Sequence, residues 1–119
     1  MSAVAANDAI PEMLALYQTE GAHDFTADGV ESLWNKKVRS AKDGSERSCA
    51  TCHHSDLKLQ GTHFKTGKVI KPMAFSVNSE RYQETKKIKK WFLRNCKWTW
   101  GRECTAQEKG NFLTYLKSQ

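Results

Sequence analysis

The chain has 119 residues, of which 39% are hydrophobic, and a formal net charge of +6. That length makes one domain whose core buries only about two thirds of the surface exposed by the unfolded chain. No stretch approaches the ~20 apolar residues of a membrane-spanning helix. No helix-turn-helix, zinc-finger or stacking-platform signature accompanies the charge, which argues against nucleic acid as the partner.

Pro11 suits a first helical position, and "PEMLALYQT" places Met13, Leu14, Leu16 and Tyr17 at helical spacing, predicting a helix to about Gly21. "TADGVESLWNKK" predicts a shorter helix with Thr26 as cap and Val30, Leu33 and Trp34 as its apolar stripe. The polar run "VRSAKDGSERS" then reads as a loop. From His54 to Asn78 no period is sustained, which a compact domain tolerates only if the segment packs on something other than protein. "ETKKIKKWFLRNC" resumes a helical period through Ile88, Trp91, Phe92 and Asn95. Thr105 and Glu108 form a capping box ahead of Phe112, Leu113, Tyr115 and Leu116 in the last helix. Lysines cluster in "KKIKK" (Lys86 to Lys90) and at Lys65, Lys68 and Lys71. Singly these are solvated surface, but together they favour an acidic partner through steering.

"CATCH", Cys49 to His53, has the spacing of a covalent c-type haem attachment site. Its two thiols can add to the two vinyl groups of one porphyrin, and His53 can then ligate the iron. Two rival readings exist. A zinc site would draw on Cys49, Cys52 and two of His53, His54 and His63, but adjacent histidines do not easily share one tetrahedral ion. A thioredoxin-like pair would need alternating strands and helices, which the chain lacks. Haem also gives the unpatterned middle a surface to wrap. Covalent haem attachment belongs outside the cytoplasm, so a periplasmic location is expected, where Cys96 and Cys104 can pair. The short loop they would close is worth roughly 2.5 kcal/mol in the chain-entropy model; the alternative is two inert buried thiols. "MSAVAANDAI" lacks an apolar core long enough for a leader, so a leader is expected to have been removed.

The ligand opposite His53 decides what such an iron does. Met73 in "KPMAF" is the obvious choice by chemistry, yet it lies only 73 − 53 = 20 residues beyond His53. His54 adjoins the proximal ligand and cannot reach the other face, whereas His23 and His63 stand among polar residues. An open or water-filled position is a further reading. Asn95 shares the apolar face of Ile88, Trp91 and Phe92, where an amide needs a partner. It is read either as an iron ligand or as a helix-end asparagine bonded to terminal carbonyls.

"SCATCH", "TGKVIKP", "KKWFLRNC", "GREC" and "EKGNFLTYL" together resemble the sphaeroides haem protein (SHP) family of oxygen-binding monohaem cytochromes c, over about residues 25–119. The resemblance implies an all-α, class I cytochrome c-like domain wrapped around one covalently bound haem c. Residues 1–24 would form an N-terminal helix and extension, and residues 25–119 the haem-binding core. It implies His53 as proximal ligand, Asn95 as distal ligand of the oxidised iron, and a Cys96–Cys104 disulfide. A related cytochrome family has histidine in place of Asn95 and detaches it on reduction. The departure is Trp98 and Trp100, where the family carries smaller residues.

The resemblance further implies a dihaem cytochrome c as electron donor, in keeping with a basic surface. On reduction Asn95 would leave, and O₂, NO or CO could bind. This favours an electron-transfer and ligand-binding protein over an enzyme, with a reductase left open. Two alternatives stand beside it: a plain electron carrier ligated by His53 and Met73, and a reductase of oxygen, peroxide or hydroxylamine, for which the sequence names no proton donor.

Overall fold

The computed structural model describes residues 8–119, so most of the stretch read for a leader lies outside the described residues. Five helices carry the chain: α1 (Ile10–Thr19), α2 (Val30–Asn35), α3 (Cys49–His53), α4 (Thr85–Trp100) and α5 (Ala106–Ser118). Between them lie two minimal antiparallel hairpins, β1 (Val38–Arg39) with β2 (Glu46–Arg47) and β3 (Gly61–Thr62) with β4 (Val69–Ile70). The predicted all-α architecture therefore holds, with the two polar connections pinched into short ladders where loops were expected.

The first helix begins with Pro11 in its first turn and buries Ile10, Met13 and Tyr17 against α5 and α4. In α2 the cap is not Thr26 but Gly29, whose φ of 80° glycine adopts without strain. The Thr26 hydroxyl instead accepts the Asp28 N–H within the preceding turn. α5 starts from the predicted box, with Thr105 Oγ1 accepting the Glu108 N–H and Glu108 accepting the Thr105 N–H. Its inner face supplies Leu113 and Leu116, both fully buried, and Phe112. Gly110 is required there, because an added Cβ would strike the Phe25 ring.

The fourth helix departs from expectation. It continues past Asn95 to Trp100 and stops at Gly101, φ 71°, whose N–H donates to the Lys97 carbonyl. Asn95 is thus a mid-helix residue. The Cys96–Cys104 disulfide, Cα–Cα 5.6 Å, staples the last turns of α4 to the residue before the α5 cap.

Candidate functional site

α3 is too short to be stable alone, and its hydrogen bonds explain how it persists. Ser48 and Thr51 exchange bonds: the Thr51 N–H donates to Ser48 Oγ and the Ser48 N–H to Thr51 Oγ1. This Ser-x-x-Thr pairing orients the Cys49–His53 turn, a local signal that the sequence reading passed over. From the other side, the fully buried Trp34 of α2 donates its indole N–H to the His54 carbonyl at 2.9 Å. The β3–β4 hairpin then closes on α3 at Gly61, where an added Cβ would collide with the Cys52 carbonyl and the His53 backbone. Only glycine permits that approach.

His53 is 5% exposed and lies between aromatic neighbours, 5.7 Å from the Trp34 ring and 5.9 Å from the Trp91 ring. Burial pushes the imidazole down to about 4, against an opposing pull from Asn95 and with help from the Arg81 charge. The ring is therefore neutral near pH 7, the form that ligates metals. Its Nδ1 has no partner among the described residues, and its Nε2 faces only Asn95 Oδ1, at 3.4 Å. Such sparse bonding does not suit a purely structural buried histidine.

Asn95 is held to match. Its Nδ2 donates to the Trp91 carbonyl at 2.8 Å, one turn back along α4. That bond settles which end of the amide is which, leaving Oδ1 directed at His53. Two residues 42 apart in sequence thus meet, with Asn95 Oδ1 accepting from His53 Nε2 in the tautomer that carries its proton there.

The space around this pair has two characters. Inward lies a void of about 20 Å³ walled by Trp34, Cys49, Phe92, Trp100 and Phe112. Outward opens a cleft of about 890 Å³ that takes in Cys52 and the cationic Arg39, Lys42, Arg47, Arg81, Arg94 and Lys97, with no Asp or Glu in its lining. His53, Trp91, Asn95, Thr99 and Trp100 border both. A group with an apolar body and an anionic edge fits such a site, and a haem with its two carboxylate arms is that kind of group. Cys49 and Cys52, unbridged, stand one toward each part. Burial raises the Cys49 thiol to about 12, so it persists as a thiol.

The other candidate residues fall outside this arrangement. Met73 is fully buried but borders neither the void nor the cleft. His54 is exposed and its Nδ1 accepts the Asp56 N–H. His23 is exposed, with Nδ1 3.0 Å from Asp24. His63 borders the cleft, yet its Nδ1 accepts the Lys65 and Thr66 N–H groups. Trp98, open in its role from sequence, forms the outer wall in one cluster with the Phe64 ring at 4.6 Å and the Arg47 guanidinium at 4.5 Å. Trp100 turns inward, 5.7 Å from Phe112. Sequence reasoning missed Arg81 and Thr99; the latter was findable, four residues beyond Asn95 on one helical face.

The fold and this site define a small haem protein of the cytochrome c class. The family model described as "Domain of unknown function (DUF1924)" matches residues 20–116. The cytochrome c-type protein SHP of Cereibacter sphaeroides is 31% identical over 117 residues, covering 98% of this chain and 89% of that protein. Cytochrome c'' of Methylophilus methylotrophus is 34% identical over 87 residues, 73% of this chain and 60% of that protein. The solved structure of oxidised SHP, an oxygen-binding cytochrome c, superposes with a TM-score of 0.82 at 30% identity, covering 95% of this chain and 99% of that one. Oxidised cytochrome c'' gives 0.79 at 26% identity, covering 92% and 94%. The chain belongs to the SHP family of cytochromes c.

Proposed function

We propose that this protein is a periplasmic monohaem cytochrome that accepts an electron from an acidic redox partner, a dihaem cytochrome c, and when reduced opens its iron to O₂, NO or a similar small ligand. In this reading Cys49 and Cys52 hold one haem c by thioether bonds, His53 is the proximal ligand and Asn95 the distal one. Residues 25–119 form the haem-binding core, to which residues 1–24 add a helix and extension. The haem, when bound, would supply an iron that changes oxidation state and that His53 and Asn95 could hold.

The observation that carries the proposal is the opposition of His53 Nε2 and Asn95 Oδ1 at 3.4 Å across the border of an apolar void and a cationic cleft. The rest follows from the donor atoms. A neutral amide oxygen is a hard donor, better matched to ferric than to ferrous iron, whereas imidazole serves both. Asn95 would therefore hold the oxidised group more firmly than the reduced one, while His53 would hold both. The Cys96–Cys104 staple next to Asn95 restrains α4, so the released amide remains beside the pocket, able to donate a hydrogen bond. The net charge of +6 favours an acidic donor.

The test is optical. Dithionite-reduced protein should give a high-spin spectrum that changes on adding CO. A sharp low-spin band that CO leaves unaltered would sink the proposal, and the intact mass of the denatured chain, with one haem still attached, checks the thioether bonds.

A further inference from the structure

Two unsatisfied groups on the edge of the site point to a common ligand. The first is the Trp91 indole Nε1–H, buried and without a hydrogen-bond partner among the described residues. Buried indole donors are normally paired. The second is the guanidinium of Arg81, half-buried, whose Nε and Nη2 donate to the carbonyls of Pro72 (3.4 Å) and Lys71 (2.9 Å). No carboxylate pairs with it among the described residues; its exposed neighbour Glu80 lines the same hollow without forming an ion pair to it. A partly buried cation bonded only to neutral carbonyls lacks the counter-charge that would offset its desolvation.

Trp91 and Arg81 border the same two spaces, the 890 Å³ cleft and a neighbouring hollow of about 330 Å³, so both side chains line one region beside His53. The other basic residues of the cleft are engaged or outward. Arg47 is committed to Asp43 at 3.0 Å and to the Trp98 carbonyl, Arg39 donates to the Gly44 carbonyl, and Lys42, Arg94 and Lys97 are exposed. Arg81 keeps Nη1 without a protein partner among the described residues, and a carboxylate is the anion its planar fork suits.

We propose that Arg81 and the Trp91 indole N–H together form the binding site for one carboxylate arm of the haem. The carboxylate accepts from both, supplying the missing partner of the indole and the missing counter-charge of the guanidinium. Trp91 also sits one turn before Asn95 and accepts the Asn95 amide N–H at its carbonyl, so the same residue would anchor the haem edge and the distal ligand. The other charged groups facing this region are Lys71, Glu80 and Lys87, the last paired with Glu84 at 2.8 Å.

This inference rests on the haem reading, and the experiment separates the two. Wild-type holoprotein, R81Q, R81K, W91F and K87Q are compared by the resonance Raman propionate-bending band of the ferric haem and by midpoint potential. The band is expected to shift in R81Q, R81K and W91F and to stay in place in K87Q. The potential should fall in R81Q, because lost positive charge favours the ferric state, and fall less in R81K. An unmoved band in either R81Q or W91F, with haem bound, overturns the shared site. If R81Q fails to retain haem, W91F decides, since it removes one N–H and no charge. A wild-type protein that carries no haem refutes the haem reading itself.

Discussion

Replacing Asn95 by leucine separates the amide's chemistry from its bulk. The structure sets the stability cost. The side chain loses the 2.8 Å bond to the Trp91 carbonyl, worth about 0.5–1.5 kcal/mol net. It gains up to roughly 0.5 kcal/mol of helix propensity in α4, plus apolar contact where Asn95 is half-buried. The sum is within about 1 kcal/mol of zero, so N95L should fold and load haem like the parent. Coordination should change sharply: the ferric spectrum should move to a five-coordinate or water-ligated form, while the ferrous spectrum stays as it was. A ligand that binds only the ferric state holds the potential down, so its removal should raise the midpoint by about 59 mV for each factor of ten in the ferric binding constant lost. Ferric and ferrous absorption spectra with a redox titration suffice to measure this. An N95L protein with the parental ferric spectrum and midpoint would refute ligation by Asn95.

Other perturbations bear on the frame. G61A places a methyl group on the Cys52 carbonyl, backbone against backbone, and should cost about 3 kcal/mol or more in urea denaturation together with haem loading. C96A/C104A removes the staple and should lower stability by roughly 2.5 kcal/mol and speed the distal exchange seen in CO-binding kinetics; unchanged kinetics would show that the disulfide does not restrain Asn95. M73L, a near-isosteric change in a fully buried side chain outside both spaces, should cost less than about 1.5 kcal/mol and leave both spectra unaltered. Loss of the ferric spectrum in M73L would instead favour methionine ligation.

Much of the frame was legible because its signals are local. Pro11, the Thr105–Glu108 box and the apolar spacing of "IKKWF" each specify a helix through contacts within a turn or two; α1 and α5 lie where they were expected, and α4 starts where it was. The errors share a cause. Thr26 looked like a cap, but its hydroxyl bonds the preceding turn, and Gly29 takes the position through its backbone freedom. α4 runs beyond Asn95 because Trp98 and Trp100 find partners in Phe64, Arg47 and Phe112, each supplied by another element. The α3 turn is readable too, since Ser48 and Thr51 stand three apart and pair within a single turn.

The sequence by itself determined the candidate chemistry: "CATCH" names two thiols and an imidazole at a spacing that few cofactors match, and "RNC" puts an amide beside a bridgeable cysteine. These are statements about neighbours along the chain. Only the tertiary structure decided that His53 and Asn95 face one another, that Met73 is packed away from both, and that Gly61 must press against Cys52. The same holds for Arg81 and Trp91, which share a region that no spacing reveals. Each depends on elements brought together by burial of apolar surface, a force without direction. Which side chains then meet is settled by the shape of the packed core.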